Sequence, residues 1–154
     1  MKQVMAVIAL TFCVSVQSQV LPKNFNDLTK QVEPNLIEWR RHFHEFPELS
    51  NREFNTGKYI AEYLKSIGLE VKYPVAKTGV VAILKGAKPG PNIGLRADID
   101  ALPVSERAPI PFASKVKAEY NGQQVSVMHA CGHDAHTAIL MATAKTLKDM
   151  QKDL

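Results

Sequence analysis

Apolar residues recur at helical spacing in two early stretches of the chain. Leu36, Ile37, Arg40, Phe43 and His44 share one face, with Trp39 at its margin. Pro34 suits the first residue of that helix, where its missing N–H is harmless, and Pro47 ends it. Ser50-Asn51-Arg52-Glu53 has the form of a capping box opening a second helix. Phe54, Ile60, Ala61, Leu64 and Ile67 supply the apolar stripe of that helix, and Gly68 its C-terminal cap. The pattern then changes. Leu69 to Val75 alternates like an edge strand, whereas Gly79 to Leu84 is nearly continuous, as in a strand buried on both faces. Ile93 to Ala97 reads as another strand after the turn Lys88-Pro89-Gly90-Pro91-Asn92. Residues 104 to 124 read as a polar surface excursion, and Val125 to Met128 as a short strand. A last helix is predicted from His136 to Met150, with Ile139, Leu140, Ala144 and Leu147 inward. Helices at both ends with strands between predict an α/β layered domain, with no internal repeat and no dividing linker.

The N-terminus bears on compartment. Lys2 precedes an apolar run, Val4 to Val16, broken only by Thr11 and Ser15, and Val16-Gln17-Ser18 offers a cleavage site. The run is too short for a stable membrane span. The expectation is a signal peptide at 1–18, with 19–154 exported to the periplasm or secreted; a retained anchor is the lesser reading. Leu10-Thr11-Phe12-Cys13 resembles a lipoprotein site, but bulky Phe12 argues against it. Cleavage would remove Lys2 and Cys13, lowering the formal charge of +4 by one and leaving Cys131 as the lone cysteine. Such a thiol is buried and inert, paired between molecules, or functional.

Composition narrows the classes. The 154 residues are 45% hydrophobic and 22% charged, ordinary for a single globular domain. Lysine and arginine are scattered, without a basic stripe interleaved with aromatics, which argues against nucleic-acid binding. Met128 to Thr137 holds three of the five histidines together with Cys131. Cys131 and His133 flank Gly132, so a thiolate and an imidazole can face one small volume. Sulfur and nitrogen donors suit zinc and other late divalent metals. Asp98 and Asp100 alternate at the carboxyl end of a predicted strand, where open α/β sheets bind ligands. Carboxylates there bind metal or fix a histidine tautomer.

Three stretches resemble one family. Arg40 to Leu49 with Glu53, Arg96 to Pro103, and Met128 to Asp134 look like three successive signatures of the M20 metallopeptidases and amidohydrolases. They resemble most the branch acting on N-acyl amino acids, hippurate and auxin conjugates. The resemblance runs from about residue 27 to the end. It implies a three-layer α/β/α zinc-exopeptidase-like catalytic domain, of which this chain is the N-terminal part. It further implies two divalent metal ions, zinc or manganese before cobalt or nickel, and a small-molecule N-acyl amino acid as substrate. By motif match Cys131 and His133 are metal ligands, Cys131 the candidate bridge, and Asp98 supports the site. Arg96-Ala97-Asp98 stands where other branches carry His-x-Asp, and His133 resembles the replacement ligand. The implied reaction is amide hydrolysis by metal-activated water, with a glutamate moving the proton.

The family's catalytic glutamate, remaining ligands and inserted dimerisation domain fall beyond this segment. The chain is therefore expected to be the front of a longer protein, homodimeric at full length, with at most half a metal site of its own. The alternative is a truncated, non-catalytic fragment that binds metal weakly or not at all. A thiol hydrolase with Cys131 as nucleophile is a third class, disfavoured because His133 is too near in sequence to act in line. Asp100, His129 and His136 are candidates for substrate contact or support of the ligands. Each has a plainer reading: Asp100 bonding its own loop, and the histidines capping or hydrogen-bonding. Asp134 reads as a cap or loop-orienting residue, His42 and His44 as helix-face residues, and Arg96 as a neutraliser of nearby carboxylates.

Overall fold

The computed structural model describes residues 22–154. The expected leader, 1–18, lies outside them. No described helix is long and apolar enough to cross a membrane.

Helix α1 spans Phe25–Glu45, so Pro34 lies inside it and not at its start. An interior proline forfeits a backbone hydrogen bond and costs about 3 kcal/mol. The extra turns are held by tertiary packing, because Val32 and Leu36 rest against the main core. The helix stops at Glu45, just before Pro47, as the sequence predicts. Trp39 is central to the core and not marginal, whereas Ile37 is 41% exposed. Helix α2 spans Phe54–Ser66. The capping box does not form. Glu53 Oε1 accepts from the Asn51 N–H at 2.9 Å. Glu48 caps instead, its two oxygens accepting from the N–H groups of Asn55 at 3.2 Å and Thr56 at 2.7 Å. An ionised carboxylate at a helix N-terminus gains charge-assisted bonds and the favourable dipole that a serine hydroxyl lacks. At the other end Gly68 has φ +79°. Its N–H reaches Lys65 O while that of Leu69 reaches Leu64 O, a Schellman closure.

Strands β1 (Glu70–Val75) and β2 (Gly79–Ile83) pair antiparallel, and α2 packs on both. β1 alternates in burial as an edge strand should. β2 is not buried on both faces, since Val81 and Ile83 remain exposed. Ile93 to Ala97 forms no strand, and Ile93 is 81% exposed. A strand exists only by pairing, and among the described residues no neighbour offers it an edge. The excursion at 104–124 is partly regular after all: β3 (Lys117–Tyr120) and β4 (Gln123–Ser126) form a second antiparallel ribbon. Asn121 and Gly122 turn it with φ +50° and +76°, the two-residue turn that an Asn-Gly pair favours. Helix α3 spans His133–Asp149, starting a turn early. Its buried face is Asp134, Thr137, Ala138, Met141, Ala142 and Thr146, rotated from the predicted one, and Ile139 is half exposed.

The main core joins Trp39 and Phe43 of α1, Ile60 and Leu64 of α2, and Ala138, Met141 and Ala142 of α3. Burying Phe43 alone contributes about 1.5–3 kcal/mol. A smaller cluster, Leu49, Ala101 and Val127, lies beside a short ladder. There Ala101 N–H donates to Glu48 O, while Leu102 and Met128 exchange both backbone bonds at 3.0 Å. Three distant segments are thereby laid side by side: the end of the first helical region, the Asp98–Leu102 run and the approach to Cys131. The architecture is mixed α/β: three helices share one core, α2 packs on the β1–β2 ribbon, and β3–β4 forms a second small antiparallel ribbon.

Candidate metal centre and active site

The short ladder brings the two aspartates to the head of α3. His133 is the first residue of that helix, and Gly132 before it has φ +86°. His133 Nδ1 lies 3.0 Å from both the backbone oxygen and Oδ1 of Asp100. Both are acceptors, so Nδ1 carries the proton and Nε2 keeps a free lone pair. Asp98 Oδ2 stands 4.0 Å from that Nε2, and Asp98 Oδ1 is held by Arg96 at 2.6 Å. Thr137 Oγ1 shares its one hydrogen between His133 O at 2.8 Å and Asp98 O at 3.1 Å, placing the aspartate segment against the helix. Cys131 is a free, exposed thiol.

The other candidates are placed less directly. His129 is buried, and its Nδ1 has no hydrogen-bond partner among the described residues. Burial, more than its charged neighbours, pulls its pKa from 6.5 down to about 4. His136 is exposed, one turn along α3, with its ring centroid 5.8 Å from that of His133. Asp100 bonds His133 and not merely its own loop.

The donor chemistry fits a divalent ion in kind. A protein-anchored imidazole with a free Nε2, an unpaired thiol on the same loop and a nearby carboxylate are the groups such ions select. In number the set is partial. Among the described residues no three His, Cys, Asp or Glu side chains are grouped closely enough to hold an ion.

A network that residue-by-residue reading overlooked lies behind this loop. His44 Nδ1 meets Asp134 Oδ2 and its Nε2 meets Glu106 Oε2, each at 2.8 Å. Arg40 Nε reaches the same Asp134 oxygen at 3.1 Å. His44 and Asp134 are buried and bonded to each other, so His44 does more than line a helix face, and Asp134 makes no cap bond to α3. The Ala108 N–H, with His44 and the Arg107 N–H, holds the Glu106 carboxyl below its ordinary range against the opposing effect of burial. The sequence signals were polar residues at 40 and 44 on the apolar face of a helix and inside the first of the three signatures, with Asp134 inside the third.

Comparison with known proteins bears directly on this arrangement. Residues 94–154, which contain both aspartates, Cys131 and His133, match the profile of peptidase family M20/M25/M40. An N-acetyl-L-cysteine deacetylase of Bacillus subtilis is 47% identical, over 86% of this chain and 29% of its own length. The chain belongs to the M20 family. An N-acyl-L-amino acid amidohydrolase of Geobacillus stearothermophilus is 44% identical, over 82% of this chain and 32% of its own length. The crystal structure of a Bacillus subtilis protein described as a dinuclear metal-binding M20 peptidase superposes with a TM-score of 0.72 at 45% identity. That match covers 81% of this chain and 33% of the other. This M20 chain thus spans about three-tenths of the length of the relatives it matches.

Proposed function

We propose that this M20 chain supplies one wall of a metal-dependent amidohydrolase that cleaves the amide bond of N-acyl amino acids or related conjugates. The observation that carries the reading is His133. Its Nδ1 is fixed on Asp100 while Nε2 is left free, on the loop that also presents the Cys131 thiol. Cys131 and His133 would ligate, and Asp98, restrained by Arg96, would support them. Two divalent ions fit the family, zinc or manganese before cobalt or nickel; bound there, they would polarise the carbonyl and lower the pKa of water. Relatives named as deacetylase and amino acid amidohydrolase favour an N-acyl amino acid as substrate. A homodimer of the full-length protein and export directed by Lys2 and the Val4–Val16 run complete the proposal.

The test is hydrolysis of N-acetyl amino acids by the protein that carries this chain, before and after chelation. Activity should vanish with a strong chelator and return with zinc or manganese. Activity that survives chelation but is abolished by thiol alkylation would replace the metal reading with Cys131 as nucleophile.

A further inference from the structure

The polar network behind the metal loop joins Arg40 and His44 to two buried carboxylates, drawn from three parts of the chain. Arg40 and His44 come from α1, Asp134 from the first turn of α3, and Glu106 from the irregular segment after Leu102. Ionised carboxylates only accept, so both contacts of His44 are met only when both ring nitrogens carry hydrogen. A neutral ring would turn a lone pair toward one carboxylate at 2.8 Å. Phe112 seals the network: its ring lies 5.7 Å from that of His44 and 5.1 Å from the Arg40 guanidinium.

We propose that His44 is a positioning residue that latches the 103–112 segment to the head of α3 and so sets the geometry of the Cys131–Gly132–His133 loop. Asp134 adjoins His133 in sequence, so fixing its carboxylate fixes the rotation of the first turn that aims the ligand. Gly132, in a left-handed conformation with open space around it, offers that turn no restraint of its own. On the far side, Glu106 Oε1 accepts from the N–H groups of Arg107 and Ala108, while Oε2 takes His44. One carboxylate therefore folds its own loop and ties it down. That loop forms, with Met128 and Ala130, an open depression of ≈ 590 Å³ beside Cys131. The latch thus shapes both the ligand loop and the surface next to it. Its relevance to metal rests on the function proposed above.

Three variants of the protein that carries this chain test it: His44→Gln, Glu106→Ala and Glu106→Gln. Amide hydrogen exchange reads the latch, and cobalt titration through the thiolate-to-cobalt charge-transfer band reads the loop. His44→Gln should speed exchange in both 103–112 and 130–136, leave the α1–α2 core protected, and weaken cobalt binding about 10–100-fold. Glu106→Ala should act similarly, whereas Glu106→Gln, whose single amide oxygen can accept from Nε2–H or from the Arg107 and Ala108 N–H groups but not both, should fall between alanine and wild type. If His44→Gln does not fold, the contrast between the two Glu106 variants decides alone. Unchanged exchange at 130–136 together with unchanged cobalt affinity overturns the latch. A wild-type protein carrying this chain that gives no thiolate-to-cobalt band removes the metal reading instead, and the exchange comparison still judges the latch.

Discussion

At the scale of single residues, the site depends on backbone freedom as much as on donor atoms. Gly132 sits at φ +86° and ψ 13°, and a Cβ added there would meet nothing within 4 Å. Any penalty for a side chain is therefore conformational and not steric. Gly132→Ala should cost about 1–2 kcal/mol, the usual penalty for holding an L residue left-handed. A urea denaturation midpoint that does not fall would show that the loop relaxes without strain. The donor types at 131 and 133 were legible because thiol and imidazole are chemically distinctive wherever they fold. The role of His44 was not legible. Its partner Asp134 lies 90 positions away, and nothing local distinguishes a histidine on a helix face from one locked between carboxylates.

At the scale of elements, terminators were read better than beginnings. Pro47 and Gly68 act through their own backbone chemistry, so their effect survives any tertiary context. The start of α2 was misread because the cap comes from Glu48, outside the local box, and the start of α1 because packing on α3 carries the helix through Pro34. Close approach between elements adds a constraint of its own. A Cβ on Gly57 of α2 would stand 2.4 Å from the Thr78 carbonyl oxygen and 2.9 Å from the Tyr73 ring. Alanine improves helix propensity by about 1 kcal/mol. Overpacking against backbone costs about 1–3 kcal/mol, and here the contact is too short for a side chain to yield. The clash should win. Gly57→Ala is expected to lower the urea midpoint; a rise would mean that the β1–β2 hairpin shifts away freely.

At the scale of the whole molecule, global stability should carry the signature of the α1–α2 core. Tyr63 packs against Trp39 at a tilt of 56°, with ring centroids 4.5 Å apart. Burial first, then Asp149 and Tyr59, pushes its pKa from 10.0 up to about 12. The unfolded chain releases this proton near 10.0 and the folded chain near about 12. Between those values the unfolded form binds fewer protons, so the free energy of unfolding falls as pH rises. Tyr63→Phe should flatten that decline, leaving the smaller share of Tyr59, which burial also raises. Equal slopes for variant and wild type would place Tyr63 in water.

By itself the sequence determined the fold class, the helix stops, the residue types from which the proposed metal site is drawn, and the family to which they belong. Each of these follows from local chemistry or from motif order, which need no knowledge of what lies nearby. Tertiary structure alone decided which strands could exist, which face of α3 turns inward, and that His44 bridges two buried carboxylates. Those outcomes depend on neighbours distant in the chain. A strand without an edge to pair with stays irregular, and a charge is buried only when folding brings its counter-charge to hydrogen-bond distance.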